Sequence, residues 1–390
     1  MIVGVPRETF PGERRVALVP TAISALTKAG LDILVEPGAG DAAGFPDEEY
    51  RDAGASIASQ RADVFESSDV IFQVRTVGAN PKAGVSDLEL FRPGQTLTGF
   101  AEPLTALDEI KMLAERSVTA FAMELIPRIS RAQSMDALTA MATISGYKAA
   151  LLAGDKFARM FPMMMTATGT ISPARVLVVG TGVAGLQAIA TSRRLGAVVQ
   201  AYDIRPAAKI EVESLGAKFL ELEEVAVAAE AEGAGGYARA QSEETYRRQQ
   251  DLLSNAVAES HIVITTAAVP GKKAPVLISE DTVARMTPGS IIVDLAAERG
   301  GNCAATVAGE TAEVNGVSVF GPVNLASEIP YSASQLYAKS ISNFFLHLFK
   351  DGEVLVDPED PIGRDTLVTR DGKIVNTRVL EAIENLASTE

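Results

Sequence analysis

Cysteine, histidine and tryptophan are scarce: the 390 residues include one cysteine, two histidines and no tryptophan. With only Cys303, the chain cannot form an internal disulfide, which fits a reducing compartment. We expect Cys303 to be a small buried residue. Most proton-transfer mechanisms use a positioned histidine. Only His261 and His347 are available, so few of these mechanisms are possible for this chain. We expect His261 at a strand edge and His347 as a satisfied histidine on an apolar helix.

Long apolar runs and excess positive charge are also missing. No apolar run approaches the ~20 residues that a membrane helix needs, and the amino terminus lacks the basic and apolar regions of a signal peptide. With 50 acidic against 35 basic residues the formal net charge is −15, which disfavours nucleic acid and anionic lipid as partners. We therefore expect a cytosolic chain with no membrane span, no nucleic acid and no metal site.

The most informative stretch, residues 175–205, reads as strand, glycine turn, helix and second strand. Its first strand, Val176 to Val179, is an apolar β-branched run that suits a strand buried on both faces. Gly180, Gly182 and Gly185 then spell G-x-G-x-x-G. In this pattern the first glycine permits a tight turn, the second lets the backbone approach a pyrophosphate, and the third lets the helix pack closely on the strand.

The elements after this turn complete a dinucleotide-binding pattern. A helix from about Val183 to Leu195 would point its N–H groups and positive dipole end at the phosphate. The next strand, Val198 to Tyr202, ends in Asp203, the acid expected to accept from the ribose hydroxyls. Asp203 would repel the 2′-phosphate of NADP, whereas Arg205 nearby could receive it. We favour NAD(H), because the acid stands at the expected strand end.

Alternating strands and helices extend on both sides of the glycine turn and predict an α/β fold with two Rossmann-like parallel-sheet domains. In the amino-terminal half, strands are predicted at 2–5, 31–36, 69–74, 95–100 and 118–123. After Asp203, a helix is predicted at 206–215 and strands at 217–220, 260–266, 289–295 and 317–320. Counted from Val176 this gives about six strands in the second sheet. A charged cluster after the first strand, Arg7, Glu8, Arg14 and Arg15, is either a solvated surface turn or a substrate or interface contact.

The segment 124–154 reads as a loop running into a long helix. If that helix starts near Ser130, then Gln133, Asp136 and Thr139 share one side. Arg128 lies just before it and could pair with Asp136 or with a phosphate. Short polar groups on an otherwise apolar helix either form a capping cluster exposed to water or, as we hypothesise, meet the nicotinamide end of the cofactor.

Two further segments complete the organisation. Between 232 and 250 the pattern lapses into a long polar stretch, which we expect to be a mobile loop that closes over the nucleotide through Tyr237, the alternative being a surface linker. From 324 to 350 a helix is expected to return to the first domain, and Asp371-Gly372 predicts a hairpin in the tail. The predicted domains are 1–131 with 330–390, and 132–329, with the NAD site in the cleft between them.

Several ordered motifs together carry a family resemblance, among them VGVPRETFPGERRVALVP, RISRAQSMD, GTGVAGLQAIATSRRLGA, AGGYA and PGSIIVDLAAERGGNC. On these, nearly the whole chain resembles the NAD(H)-binding subunits of proton-translocating NAD(P) transhydrogenases, in a superfamily that includes alanine dehydrogenase. The resemblance implies a homodimer that binds NAD(H), docks on an integral membrane subunit and passes hydride directly to NADP(H) on a partner subunit. It would lie peripherally on the cytoplasmic face of the inner membrane.

The resemblance also implies roles for individual residues. Arg128, Gln133 and Asp136 match the residues that position the nicotinamide and are the candidate catalytic residues. Tyr237 matches the tyrosine of the mobile loop, Gln249 the end of that loop, and Ala268 an adenosine-side contact. The full set of candidate cofactor-binding residues is Arg128, Ile129, Ser130, Gln133, Ser134, Met135, Asp136, Thr139, Gly180, Thr181, Gly182, Val183, Ala184, Gly185, Asp203, Ile204, Arg205, Gly236, Tyr237, Gln249 and Ala268.

Two other functions stay open. Alanine dehydrogenases carry a lysine after the third strand and a histidine after the fourth, whereas the corresponding segments here read IFQVRTV and LTGFAEP. Because oxidation of an amine or alcohol requires a proton acceptor, these replacements favour transfer between two nicotinamides, which mostly needs correct placement of the rings. An alanine-dehydrogenase-like amino-acid dehydrogenase is the alternative, and a silent NAD-binding regulatory protein is the third possibility.

Overall fold

The computed structural model describes residues 1–221, 243–268 and 271–387. The strands in chain order are β1 (Ile2–Val5), β2 (Asp32–Val35), β3 (Ser56–Ile57), β4 (Val70–Arg75), β5 (Thr96–Phe100), β6 (Thr119–Ala122), β7 (Met164–Thr166), β8 (Gly169–Ile171), β9 (Arg175–Val179), β10 (Val198–Tyr202), β11 (Lys218–Phe219), β12 (Ile262–Thr265), β13 (Ile291–Asp294), β14 (Thr311–Val314), β15 (Val317–Phe320), β16 (Phe349–Lys350), β17 (Glu353–Val354), β18 (Leu367–Arg370) and β19 (Lys373–Ile374).

The α-helices in chain order are α1 (Pro20–Lys28), α2 (Asp47–Asp52), α3 (Arg61–Ser67), α4 (Leu107–Glu115), α5 (Ala137–Lys156), α6 (Val183–Arg194), α7 (Ala208–Ser214), α8 (Glu243–Glu259), α9 (Glu280–Ala284), α10 (Pro330–Leu348), α11 (Pro361–Thr366) and α12 (Thr377–Ala387). Short 3-10 helices cover Asp41–Ala43, Val77–Ala79, Gly84–Glu89, Met123–Leu125, Ser130–Met135, Ala297–Arg299 and Leu325–Glu328.

The chain forms two compact units. Unit 1 comprises residues 1–141 and 326–390, and unit 2 comprises residues 142–325. The predicted boundary between the two domains was at 131, ten residues earlier, because the residue pattern does not show where along the helical stretch the first domain ends. Helix α5 contains the change from one unit to the other.

Unit 1 is built on an eight-stranded sheet in the order β19-β18-β6-β5-β4-β1-β2-β3. The strands from β6 to β3 run parallel, which confirms the predicted parallel α/β arrangement. Helix α10 covers part of this sheet: Phe344 contacts Phe121 of β6, and Phe345 contacts Phe72 of β4, with ring centroids 5.7 and 5.3 Å apart. The Tyr337 hydroxyl donates to the Gln73 carbonyl at 2.8 Å.

The carboxyl-terminal residues extend the sheet of unit 1. Strand β18 pairs antiparallel with β6, and β19 pairs antiparallel with β18. Asp371 and Gly372 form the turn between β18 and β19 with φ of +50° and +76°, the left-handed geometry of a two-residue hairpin. The hairpin predicted from Asp371-Gly372 is therefore confirmed.

Unit 2 is built on a seven-stranded sheet in the order β11-β10-β9-β12-β13-β15-β14. Its parallel strands, renumbered from β9, stand in the order 3-2-1-4-5-6, the arrangement of dinucleotide-binding folds. The predicted parallel sheet is confirmed, while the antiparallel edge strand β14 was not predicted. Alternate residues of β9 and β12 pack on opposite faces, against α5 and α6 on one side and against α8 on the other.

Candidate functional site

The glycine turn of unit 2 lies between β9 and α6, where the strand order reverses. Gly180 has φ of +90°, and its N–H donates to the Tyr202 carbonyl at 2.8 Å. A Cβ atom on Gly180 would lie 2.8 Å from the Thr266 Oγ1 and 2.9 Å from the Ala267 nitrogen. Both the backbone angle and the close approach of the chain after β12 therefore require glycine here.

The other two glycines occupy opposite environments. A Cβ atom on Gly185 would lie 1.9 Å from the Gly180 carbonyl oxygen, so α6 packs directly on the turn. Gly182 is the N-cap residue of α6, has no side chain to cap that helix, and is exposed. A Cβ atom on Gly182 would have no described atom within 4 Å. The turn is therefore tight at Gly185 and open at Gly182, and this open backbone at a helix N-terminus fits the pyrophosphate of a dinucleotide.

Asp203 follows β10 beside the turn. Its Oδ2 accepts from the Thr181 backbone N–H and from the Thr181 Oγ1, both at 2.8 Å. The side chain is 8% exposed. Burial alone would raise the pKa of the Asp203 carboxyl, but hydrogen bonds from Arg205 and Thr181 outweigh it and leave the pKa below its usual value. Asp203 is therefore a carboxylate at neutral pH, fixed at the edge of the glycine turn.

Arg205 forms an ion pair with Asp203. The Arg205 Nε donates to the Asp203 Oδ1 and the Arg205 Nη2 to the Oδ2, each at 3.0 Å. This geometry is the parallel two-bond pairing that arginine makes with a carboxylate. Because the guanidinium holds Asp203, Arg205 is engaged by the acid in this state rather than free to receive a 2′-phosphate.

Asp294 and Asn302 support the turn from the neighbouring strands, and sequence reasoning missed both. The fully buried Asp294 accepts from the Thr265 hydroxyl at 2.8 Å and from the Asn302 N–H at 2.7 Å. The Asn302 side chain in turn accepts from the Ala267 N–H at 3.0 Å and donates to the Ala267 carbonyl at 2.8 Å. The two residues thus fix the chain after β12 against Gly180. The sequence did contain a signal for Asp294, since it is an acidic residue near the end of the predicted strand 289–295.

The structure corrects the helix predicted to start near Ser130. Residues Ser130–Met135 form a 3-10 helix, and α5 begins at Ala137. Asp136 lies between them, and its carboxylate accepts from the Thr139 N–H at 2.8 Å and from the Thr139 hydroxyl at 2.7 Å. Gln133, Asp136 and Thr139 therefore do not share one side of a single helix, because an acid that bonds the first turn of a helix stands at its start. Asp136 caps α5.

The remaining residues of this segment divide by exposure. Arg128, Ile129, Ser130, Gln133 and Ser134 are exposed, whereas Met135 is buried. Among the described residues, the side chains of Arg128 and Gln133 make no hydrogen bond or ion pair, so the pairing of Arg128 with Asp136 is not present. Both polar groups project from the segment and are available to a ligand.

The other predicted site residues are distributed around unit 2. Thr181 is fully buried, while Val183 and Ile204 are 39% and 61% exposed. Ala184 is half-buried and Ala268 is exposed. Gly236 and Tyr237 lie outside the described residues.

The predicted loop of 232–250 is wrong at its end, because residues 243–250 belong to α8, where Gln249 is half-buried. Apolar side chains of α8 such as Leu253 and Val257 pack on the sheet, so tertiary packing extends the helix into a polar sequence.

The charged cluster of unit 1 is divided between the interior and the surface, so the surface turn that the sequence allowed describes only two of its four residues. Glu8 and Arg15 are buried, whereas Arg7 and Arg14 are exposed. Glu8 accepts from the Val74 N–H at 2.6 Å and the Arg75 N–H at 3.1 Å. Burial, assisted by the nearby Glu13 carboxylate, raises the pKa of Glu8 to about 8. Arg15 and Glu13 form a bidentate pair, with Nε–Oε1 and Nη2–Oε2 distances of 2.8 and 2.6 Å.

The single cysteine and the two histidines lie apart from the glycine turn, and each has a structural role. Cys303 is buried, as expected, and burial raises the pKa of its thiol. His261 directly precedes β12, and its Nδ1 accepts from the Arg175 N–H at 3.2 Å. His347 lies on α10 and pairs through Nε2 with Asp360. Across the described residues, no helix is long and apolar enough to cross a membrane, and no cluster of histidine, cysteine or acidic side chains could hold a metal ion.

Family models match both halves of the chain. The model described as Alanine dehydrogenase/PNT, N-terminal domain, matches residues 4–145, and the model described as Alanine dehydrogenase/PNT, C-terminal domain, matches residues 149–377. The first of the chains that make up the NAD(P) transhydrogenase alpha subunit of Rhodospirillum rubrum is 45% identical over 378 residues, which cover 96% of this chain and 98% of that one. The NAD(P) transhydrogenase subunit alpha of Cereibacter sphaeroides is 43% identical, over 96% of this chain and 71% of its own.

Solved structures agree with these relatives. A transhydrogenase from Sinorhizobium meliloti superposes with a TM-score of 0.86 at 41% identity, over 96% of this chain and all of that one. An L-alanine dehydrogenase superposes with a TM-score of 0.81 at 25% identity, over 99% of this chain. The chain therefore belongs to the alanine dehydrogenase/PNT family and, within it, to the NAD(P) transhydrogenase alpha subunits.

Proposed function

We propose that this chain is the NAD(H)-binding subunit of a proton-translocating transhydrogenase, which exchanges hydride with NADP(H) held on a partner subunit. The observation that carries the proposal is the turn of unit 2, where an open Gly182 at the N-terminus of α6 stands beside the fixed carboxylate of Asp203. In this arrangement the backbone N–H groups of 182–184 bind the pyrophosphate. Asp203 accepts from the ribose hydroxyls and selects NAD(H) over NADP(H).

The nicotinamide end of the cofactor is assigned to the segment 128–139. The bound NAD(H) supplies the carbon that gives or receives hydride, and the chain has to orient that ring. Arg128 and Gln133 are exposed and without partners among the described residues, so they are able to bond the carboxamide or a phosphate. Asp136 and Thr139 stand at the start of α5 beside them. We assign Gly236, Tyr237 and Gln249 to contacts with the bound nucleotide and Ala268 to an adenosine-side contact.

An amino-acid dehydrogenase is the second candidate, and the carboxyl end of β4 argues against it. The residue there is Arg75, whose guanidinium lies 4.2 Å from the centre of the Phe10 ring and whose Nε donates to the Glu13 Oε2 at 3.3 Å. An arginine stays protonated at every physiological pH. Arg75 therefore cannot take up the proton that oxidation of an amine releases, whereas hydride transfer between nicotinamides releases no such proton.

The partners belong to the same proposal. Relatives named as subunits of a transhydrogenase support a complex in which this chain, as a homodimer, meets an NADP(H)-binding subunit and an integral membrane subunit. We place it peripherally on the cytoplasmic face of the inner membrane through those subunits, where hydride transfer is coupled to proton movement.

One reconstitution separates the three functions. Purified chain is mixed with NADH, an NADP⁺ analogue and the NADP(H)-binding partner, and reduction of the analogue is followed by absorbance. Transfer that depends on the partner, with no NADH oxidation by pyruvate and ammonia, is the expected result. Turnover with pyruvate and ammonia alone would establish the dehydrogenase instead. Nucleotide binding without transfer in the presence of the partner would establish a silent NAD-binding protein.

A further inference from the structure

The 3-10 helix Ser130–Met135 is attached to one side of α10. The Asn343 Nδ2 donates to the Ser134 carbonyl at 3.0 Å. Within the 3-10 helix, the Ala132 N–H bonds the Ile129 carbonyl at 3.0 Å, and the Asp136 N–H reaches the Gln133 carbonyl at 3.4 Å. Because 3-10 hydrogen bonds have poor geometry, external contacts decide how firmly this segment holds its shape.

A second attachment acts through Arg131. The Arg131 Nη2 donates to the Asp360 Oδ1 at 2.6 Å, and the Asp360 Oδ2 pairs with the His347 Nε2. Asn343 and His347 are four residues apart and therefore lie on the same side of α10. One side of α10 thus reaches the 3-10 helix twice, directly at Ser134 and through Asp360 at Arg131.

Asp360 is itself fixed in place. It is the N-cap of α11, and its Oδ1 accepts from the Ile362 N–H at 3.1 Å. Its side chain is 16% exposed. Burial alone would raise the pKa of Asp360, but the hydrogen bonds from His347 and Ile362 outweigh it and lower the pKa. Asp360 therefore remains a carboxylate at neutral pH and presents a fixed charge to Arg131.

We propose that Asn343, His347, Asp360 and Arg131 form a clamp that positions the 128–136 segment for hydride transfer. The inference rests on the proposed role of Arg128 and Gln133 at the nicotinamide, since both project from the clamped backbone. The clamp residues touch neither ring nor phosphate and act through the segment they hold. Hydride transfer depends on ring placement to a fraction of an ångström, so loosening the segment slows transfer more than it weakens NADH binding.

Arg131→Met and Asn343→Leu test the clamp in the full-length chain. The Arg131 side chain is 54% exposed, so we expect its replacement to leave the fold intact. We expect each variant to lower the single-turnover hydride-transfer rate, measured with the NADP(H)-binding partner at saturating nucleotides, by roughly tenfold. The dissociation constant for NADH should change less than about threefold. Arg131→Lys, which keeps a charge that reaches Asp360, should recover part of the rate.

The matched control is Asp365→Asn on α11, which removes a carboxylate that pairs with Arg364 at 2.8 Å outside the clamp. It should leave transfer unchanged. Hydrogen exchange at the amides of Ala132 and Asp136 gives a readout that needs no partner, and it should accelerate severalfold in the clamp variants alone. Wild-type rates and wild-type exchange in both clamp variants would overturn the clamp. A wild-type chain that fails to transfer hydride to the partner would overturn the proposed function, and the exchange comparison would still decide the clamp.

Discussion

Gly182 and Gly185 stand three residues apart in the same motif, yet alanine at each should have opposite consequences. At Gly182 the backbone angles, φ −68° and ψ −171°, suit alanine, and the added Cβ meets no described atom within 4 Å. We expect Gly182→Ala to fold with a free energy of unfolding equal to the wild type or up to about 1 kcal/mol higher, because alanine restricts the unfolded chain. The methyl group should nevertheless occupy the space that the pyrophosphate needs.

At Gly185 the added Cβ would lie 1.9 Å from the Gly180 carbonyl oxygen, which is 1.5 Å short of the 3.4 Å at which ordinary contacts begin. The obstacle is backbone, so α6 has to move away from the turn. That movement would also disturb the Thr266 hydroxyl, which donates to the same carbonyl at 2.9 Å. Overpacking of this kind costs about 1–3 kcal/mol, and the helix propensity of alanine returns up to about 1 kcal/mol. A net loss of about 1–2 kcal/mol is expected.

The two variants are compared by urea unfolding without nucleotide and by fluorescence titration with NADH. We expect Gly182→Ala to unfold at the same urea concentration as the wild type or at a slightly higher one, and to bind NADH more weakly by about 1–3 kcal/mol, which corresponds to roughly 5- to 150-fold. Gly185→Ala should unfold at lower urea before any ligand is added. Wild-type NADH affinity in Gly182→Ala would refute the assignment of the pyrophosphate to this turn, and wild-type stability in Gly185→Ala would refute the packing argument.

Three further predictions concern acidic side chains. Asp203→Asn should weaken NADH binding by roughly tenfold and reduce the preference for NADH over NADPH, because a hydrogen-bonded carboxylate is replaced by a neutral amide. Both affinities are measured by titration, and the same ratio of NADH to NADPH affinity in wild type and variant would contradict this prediction. Asp136→Ala should lower the free energy of unfolding by about 1 kcal/mol through loss of the α5 cap, whereas Asp136→Asn should keep most of it. Glu124 has a buried Oε2 with no partner among the described residues, and burial raises its pKa to about 7. The folded chain thus holds the proton of the Glu124 carboxyl more tightly than the unfolded chain does. The contribution of protonated Glu124 to the free energy of unfolding is therefore complete below pH 4.5 and is lost as the pH rises through about 7. Urea unfolding at pH 5 and pH 8 should therefore show stability falling less in Glu124→Gln than in the wild type, by up to about 3 kcal/mol. The fall that remains in the variant is attributed to Glu8, whose pKa burial raises to about 8.

The sequence by itself determined the glycine turn and most strands of the two parallel sheets, but not the edge strands β3 and β14. Val176 to Val179 are apolar and β-branched almost without interruption, and a run of that kind has few alternatives to a buried parallel strand. The spacing of Gly180, Gly182 and Gly185 determined the turn, because each glycine answers a local requirement of backbone angle or space. The hairpin at Asp371-Gly372 followed from local turn chemistry in the same way.

Only the tertiary structure decided features that depend on distant parts of the chain. Sequence periodicity read one helix from Ser130, but the Asp136 carboxylate starts a new helix at Ala137, and the preceding turn is a 3-10 helix held by Asn343. The sequence left Glu8 and Arg15 open between a surface turn and a substrate or interface contact, and they are buried because Glu13 and the β4 backbone satisfy them. The sequence pattern reflects the local conformational and burial preferences of each residue. A buried charge or the clamp depends instead on which partners the fold brings within hydrogen-bonding distance.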